Sequence, residues 1–215
     1  TKQHYNSKIR NMIKAMILAA AALTMGTAAD AQTMIQKNDI KVENHLMTPE
    51  ALWAMGRIGG AEASPNGKQV VYQVGYYSVK ENKGHQMLFS MDANGKNQKA
   101  LTTDAKSETD AAWIQGGQKI AFIRDGQLWS MNHDGTGRKQ LTNDKLGIQG
   151  FRFSPDGKKV ILIKELPYHG TIKENPSDLP LATGRLVTDM NYRHWDHYVE
   201  SLLHPFVADV AEDGT

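Results

Sequence analysis

The chain has 215 residues, with 25 Lys and Arg against 23 Asp and Glu, and no cysteine. A disulfide framework, a thiol nucleophile and a lipid-anchored cysteine are therefore excluded. The nominal charge of +2 makes no case for nucleic acid, because the excess of base sits at one end of the chain.

Lys2, Lys8, Arg10 and Lys14 precede an apolar run from Ala15 to Met25, and Ala29-Asp30-Ala31 offers a small-x-small cleavage site before Gln32. This layout predicts a secretory signal peptide over residues 1–31. The run has eleven residues, against about 20 for a membrane span. Met12 would begin a tidier signal than Thr1, with residues 1–11 as upstream read-through. Residues 1–31 hold four of the basic side chains and one of the acidic ones, so the remainder carries a balance of about −1. The expectation is export to a bacterial periplasm or cell surface, with no membrane attachment after cleavage and no nucleic acid partner.

Residues 32–59 read as an N-terminal arm and a short helix. Residues 32–45 are polar and loose. Thr48-Pro49-Glu50 then supplies an N-cap, a proline at the first helical position and an acid in the first turn. Ala51, Leu52 and Met55 give an apolar side, and Gly56 is placed to end the helix.

From Gly60 the period becomes strand-like, and one module comes round three times. Ser64-Pro65-Asn66-Gly67-Lys68 is echoed by Gln115-Gly116-Gly117-Gln118-Lys119 and by Ser154-Pro155-Asp156-Gly157-Lys158. A second turn follows each, at Asp92 to Gly95, Asn132 to Thr136 and Glu212 to Thr215. The first two lead into matching ends, Ala100-Leu101-Thr102 and Gln140-Leu141-Thr142. Asp125-Gly126 between two apolar runs marks a tight hairpin, since both central positions favour positive φ. Gly95 to Gly135 and Gly117 to Gly157 are each 40 residues. Four short strands at a period near 40 are the signature of a propeller blade. Unrelated hairpins in a β-sandwich would not share one period across two turn types. Residues 60–215 are thus expected to be all-β, a partial β-propeller of the TolB/WD40 kind with about two and a half four-stranded blades. The third module stops at Thr215. An incomplete repeat leaves a sheet edge and an apolar face open, so the chain reads as the opening part of something larger.

The third module is interrupted over residues 165–204, a mostly helical or irregular insertion that belongs on one rim. Leu186 to Glu200 lacks both Gly and Pro and suits a helix. His194 and His197, three apart, would share a helix face, but no third or fourth metal ligand accompanies them, and no metal is expected. Asp196 and Glu200, four apart with Trp195 and Tyr198 beside them, would present two carboxylates and an aromatic wall. That combination suits a peptide α-amino group. It is equally the pattern of a solvated helix face whose aromatics pack the insertion down.

No Gly-x-Ser-x-Gly elbow occurs. Ser90 and Ser130 are repeat-equivalent, which makes them strand positions rather than nucleophiles, and His133 falls where the first module has Ala93. No catalytic residue is assigned within the chain. Phosphate loops and dinucleotide-binding glycines are absent, so no cofactor is expected.

The residues quoted so far, with three further segments, carry a resemblance. The segments are Leu46 to Trp53, Asp134 to Thr142, and Asp178-Leu179-Pro180 with Tyr192 to Asp196. Over residues 45–215 the chain resembles the N-terminal part of exported bacterial prolyl oligopeptidase (S9) family serine peptidases, in their dipeptidyl-peptidase 5 and acylaminoacyl-peptidase-like branch. The resemblance implies a propeller that caps a C-terminal α/β-hydrolase domain, which would bear the Ser, Asp and His of the triad. It implies a short-peptide substrate whose access the propeller gates. Trp195 to Glu200 is similar to the segment that holds the substrate N-terminus in the dipeptidyl-peptidase IV branch, but with one Glu where that branch has a pair. The competing expectation is a non-catalytic, TolB-like periplasmic propeller that binds protein partners.

Overall fold

The computed structural model describes residues 34–40, 42, 46–167, 181 and 201–211. Helix α1, Pro49–Ala54, opens as its sequence dictates: Thr48 is extended and its Oγ1 accepts the Ala51 N–H at 3.2 Å. It stops at Met55, which is already extended. Gly56 has a different task from the one expected of it. A Cβ there would lie 2.8 Å from both the Tyr76 ring and Val74, so glycine lets the chain pass close over the first sheet.

Among the described residues, eleven strands form three antiparallel sheets. The first has β1 (Arg57–Ala63), β2 (Gln69–Ser78), β3 (Lys83–Asp92) and β4 (Lys99–Ala100) in sequence order. The second repeats it with β5 (Glu108–Ile114), β6 (Lys119–Arg124), β7 (Gln127–Asn132) and β8 (Lys139–Gln140). The third holds β9 (Gly150–Phe153), β10 (Lys159–Pro167) and β11 (Ser201–Asp209). This is a partial β-propeller with two full blades and three strands of another.

Two boundaries differ from expectation. β1 begins at Arg57, before Gly60, because a bulge between Ile58 and Ala61 breaks its alternation. In the third blade, Glu165 to Pro167 pair with Leu203 to Ser201, so strand extends into both ends of the range assigned to the insertion.

The turns repeat atom by atom. In Ser64-Pro65-Asn66-Gly67, Ser64 Oγ donates to Asn66 Oδ1 at 2.8 Å and accepts the Gln69 N–H at 2.9 Å. In Ser154-Pro155-Asp156-Gly157, Ser154 Oγ donates to Asp156 Oδ1 at 2.6 Å and accepts the Lys159 N–H at 2.9 Å. Asp125 and Gly126 both take positive φ, 51° and 67°, as a two-residue hairpin requires.

The Leu-Thr ends of the repeats also find their reason. β4 and β8 have only two residues each, which would leave a donor on the neighbouring strand unpaired. Thr102 Oγ1 takes the Leu88 N–H at 2.8 Å, and Thr142 Oγ1 takes the Leu128 N–H at 2.9 Å. The leucine before each threonine donates its own N–H to the same residue's carbonyl, at 2.8 Å in both blades. A hydroxyl thus completes the ladder where the strand stops.

Two apolar layers join the blades. Val71, Leu88 and Leu101 of the first meet Trp113, Ile120, Phe122 and Met131 of the second. Ile114, Ala121 and Leu128 of the second meet Val160, Leu162 and Phe153 of the third. Val71, Ala121 and Ile161 hold one repeat position, opposite Ser90, Ser130 and Val207. Val71 and Ala121 are 1% and 0% exposed, whereas Ile161 is 43%. The third sheet therefore shows an open apolar face where the others are covered. Ser90 and Ser130 are buried strand residues, as their repeat equivalence requires.

Replacing Thr102 by Val should leave the buried Leu88 N–H unpaired and lower stability by about 1–3 kcal/mol. Thr142→Val should cost a similar amount. Urea unfolding of each variant measures this; a loss confined to one of them would contradict the equivalence of the two sites.

Candidate functional site

Antiparallel order gives the propeller two unlike rims. The β1–β2, β3–β4, β5–β6, β7–β8 and β9–β10 turns lie on one, the turn rim. The β2–β3 and β6–β7 turns and the Pro167–Ser201 end of the third hairpin lie on the other with the links between blades, residues 101–107 and 141–149; this is the crossover rim.

At the centre lies a cleft of about 890 Å³ walled by the inner strands β1, β5 and β9. Each is an end strand of its sheet, so its free edge faces the cleft. Trp113 ties two walls together, its Nε1 donating to the Glu62 carbonyl at 3.0 Å. β5 carries a bulge between Thr109 and Ala112, with Asp110 at φ 53°. Aspartate tolerates that left-handed geometry better than most residues. The N–H exposed by the bulge donates to Gln73 Oε1 of the first blade at 3.2 Å, and Gln73 Nε2 donates to Gln86 Oε1 at 3.1 Å. Glu62, Asp110, Asp156 and Arg152 bring the charge to this lining. The Ser154 hydroxyl, and then the Lys158 N–H, hold the Asp156 carboxyl below its usual range, so it stays ionised at neutral pH.

The crossover rim is stapled by ions. Asp104, in the link leaving the first blade, pairs with Arg124 of β6 at 2.7 Å; Asp144, one repeat later, pairs with Lys164 of β10 at 2.8 Å. Each acid also accepts the N–H two residues on, from Lys106 and Leu146, at 2.9 Å. Beneath the first staple lies Glu108, fully buried. Its carboxylate accepts from Arg124 at 2.8 Å, from Thr102 Oγ1 at 2.8 Å and from Arg138. A buried carboxylate is tolerable only when so surrounded. Arg138 also donates to the Leu101 carbonyl at 2.6 Å and lies over the Phe122 ring.

On this rim His85, 2% exposed, meets the N-terminal arm, its Nδ1 lying 2.5 Å from the Ile35 carbonyl. The interrupted hairpin opens on the same rim, since Pro167 and Ser201 are its last pair. Trp195, Asp196, Tyr198 and Glu200, the residues expected to hold a substrate amine, lie outside the described residues, as do His194 and His197. The segment that carries them leaves and returns at the Pro167–Ser201 pair. His133 is exposed on the turn rim, in the second sheet, on the opposite rim from that pair of the third.

Reading the sequence for chemistry missed Asp104 and Asp144. Their signal was present: Leu101-Thr102-Thr103-Asp104 and Leu141-Thr142-Asn143-Asp144 match at the repeat period, as do Arg124 and Lys164. Gln73 and Asp110 left no such trace, because their contact joins blades through a bulge.

No family model matches the chain. Curated proteins do, and two of them are named dipeptidyl-peptidase 5. That of Porphyromonas gingivalis is 39% identical over 213 residues, 97% of this chain and 29% of the relative. That of Porphyromonas endodontalis is 36% identical over 200 residues, 91% of this chain and 29% of the relative. By sequence the chain is similar to these dipeptidyl-peptidase 5 proteins. Pyrococcus horikoshii acylaminoacyl peptidase shares the fold, with a TM-score of 0.51, 13% identity and coverage of 74% of this chain and 24% of that one. The chain therefore spans under a third of the length of the dipeptidyl-peptidase 5 relatives it matches.

The staples make the fold acid-sensitive in a definite way. Burial opposes the charge on Asp104, but the Arg124 hydrogen bond and the Lys106 N–H outweigh it, and its carboxyl lies below the usual range. The Lys164 hydrogen bond, then the Leu146 N–H, lowers that of Asp144. A folded-state value below the unfolded one stabilises above the ordinary carboxylate pKa of about 3.9 and is lost as pH falls through the folded value. Thermal midpoints should start to drop near pH 5 and go on falling as pH passes below about 3.9. The double variant Asp104→Asn, Asp144→Asn should be less stable at pH 7 and show a shallower drop; an identical acid profile would contradict the assignment.

Proposed function

We propose that this chain is the gate of an exported serine peptidase of dipeptidyl or acylaminoacyl type. The observation that carries the reading is 36–39% identity to dipeptidyl-peptidase 5 proteins over at least 91% of the chain. Those relatives are more than three times its length, leaving room for a C-terminal hydrolase domain with the triad and oxyanion hole. Acyl transfer to a serine would take place there. The propeller would limit access to short peptides. The open face at Ile161 and Val207 supports the same reading, since another blade of the same polypeptide would cover it.

Within this chain, Asp196 and Glu200 are proposed to hold the substrate α-amino group, with Trp195 and Tyr198 as an aromatic wall. Two carboxylates beside a cation and a ring favour the protonated amine. Their segment is rooted on the crossover rim, where the blade links also lie, and on this reading the hydrolase domain would lie against that rim. Export is proposed on the layout of residues 1–31, and a mature N-terminus at Gln32 is the corresponding expectation for N-terminal sequencing.

The test uses the full-length protein and dipeptide fluorogenic substrates with free and acylated N-termini. Hydrolysis of one class supports the reading. Hydrolysis of neither would overturn it in favour of a binding propeller. If the free amine is preferred, Glu200→Gln should raise KM by about ten-fold with a smaller effect on kcat, as expected when binding common to ground and transition states is removed. Unchanged kinetics would remove Glu200 from the site.

A further inference from the structure

We propose that His85 is a pH-dependent latch between the N-terminal arm and the link that joins the first two blades. Protonated, its ring donates to both segments; neutral, it can donate to only one. Nothing in this latch depends on the chain being part of a peptidase.

His85 is 2% exposed, and each of its ring nitrogens lies against a main-chain carbonyl. Nδ1 is 2.5 Å from the oxygen of Ile35 in the arm, and Nε2 is 3.3 Å from that of Lys106 in the link. A carbonyl oxygen only accepts, and a neutral imidazole has a single N–H. The neutral ring can therefore satisfy Ile35, but it then turns the lone pair of Nε2 toward the Lys106 oxygen, acceptor against acceptor. Imidazolium has a donor for each. A buried charge is tolerated when its hydrogen bonds are made in this way.

The repeat itself does not ask for a histidine here. β2 and β3 have ten residues each, against six in β6 and six in β7. With Phe89 matched to Trp129, the second blade begins β7 at Gln127, the equivalent of Met87. His85 therefore falls where the second blade already has its Asp125-Gly126 turn, on the part of the first hairpin that has no counterpart there. What meets its ring is the arm and the link, with Tyr76 opposite in β2. Met34 and Ile35 of the arm are half-buried and residues 36–40 are exposed, so the arm is covered only where it reaches the ring.

The charged groups on the surrounding elements are mostly engaged with one another. Lys37 of the arm pairs with Asp39 at 3.1 Å, Lys106 of the link with Asp125 at 2.5 Å, and Asp104 with Arg124 at 2.7 Å. Lys80 and Glu81 lie in the turn before His85, Lys83 opens its strand, and Glu50 lies in α1, which packs on β2. The two carbonyls are thus what tells one charge state of the ring from the other. An imidazole changes charge between about pH 5 and pH 8. Since the docked arm favours the protonated ring, the hold is firmest at the acid end and loosens as pH rises.

The test is limited proteolysis of the full-length protein by papain at about pH 5.5, 6.5 and 8, with cut sites read by mass spectrometry. Each rate is taken relative to cleavage of a free peptide of residues 32–46 at the same pH, so that the protease's own pH dependence cancels. Near pH 5.5 the Asp104 staple is still charged, because its carboxyl lies below the usual range. Relative cleavage within residues 34–40 should rise about three-fold or more from pH 5.5 to pH 8, while other cut sites do not follow it. His85→Gln, uncharged throughout, should abolish the dependence. His85→Lys, charged throughout, should keep the arm protected at all three values. An arm whose relative cleavage is constant with pH, or changes only in step with the other sites, would overturn the latch. So would a pH dependence that survives in a folded His85→Gln protein. If neither variant folds, the wild-type profile decides, a rise confined to the arm being the supporting result.

Discussion

The architecture depends on one constraint: each sheet has two faces and only its neighbours to cover them. Val71, Leu88 and Leu101 are buried against Ile120, Phe122 and Met131 of the next sheet. The same holds one repeat on, with Ala121 and Leu128 against Val160 and Leu162. A blade of some 40 residues is too small to bury enough apolar surface by itself. Stability therefore resides at the joints between blades, and the polar devices of the fold gather there. Thr102 and Thr142 complete a ladder, Asp104 and Asp144 bind the following blade, and Glu108 fixes two arginines under the first joint.

That arrangement separates tasks between the rims. The turn rim is built from short motifs that satisfy their own hydrogen bonds, as Ser64 with Asn66 and Ser154 with Asp156 do. The crossover rim holds the blade links, the hairpin that opens at Pro167 and Ser201, and the arm at His85. Length can be added there without disturbing a ladder. The position of the interrupted hairpin follows from this difference.

Much of the fold was legible in the sequence because its signals are local. Asp125-Gly126 announces positive φ at both positions, and Ser-Pro-Asx-Gly announces a turn whose side chains close on themselves. Repetition at one period then assembled these signals into blades and removed Ser90, Ser130 and His133 from consideration as chemistry. The start of β1 was less legible, because a bulge at Gly59-Gly60 replaces alternation with two residues that have no side chains. The seal between Gln73 and Asp110 could not be seen at all, since it joins residues 37 apart across two sheets. The amine-holding role of Asp196 and Glu200 rests on helical spacing and on the resemblance, and those residues lie outside the described ones.

The ion staples have a direction. Asp104 belongs to the link that leaves one blade and Arg124 to the blade that follows; Asp144 and Lys164 repeat this relation. Each joint is heterologous, with the acid always behind and the base always ahead. A row of such units can grow only head to tail, and the rotation from one blade to the next determines whether it closes into a ring or runs on. A duplicated blade inserted in frame would arrive with a base for its predecessor and an acid for its successor. The same joint would accept it without any new contact having to arise.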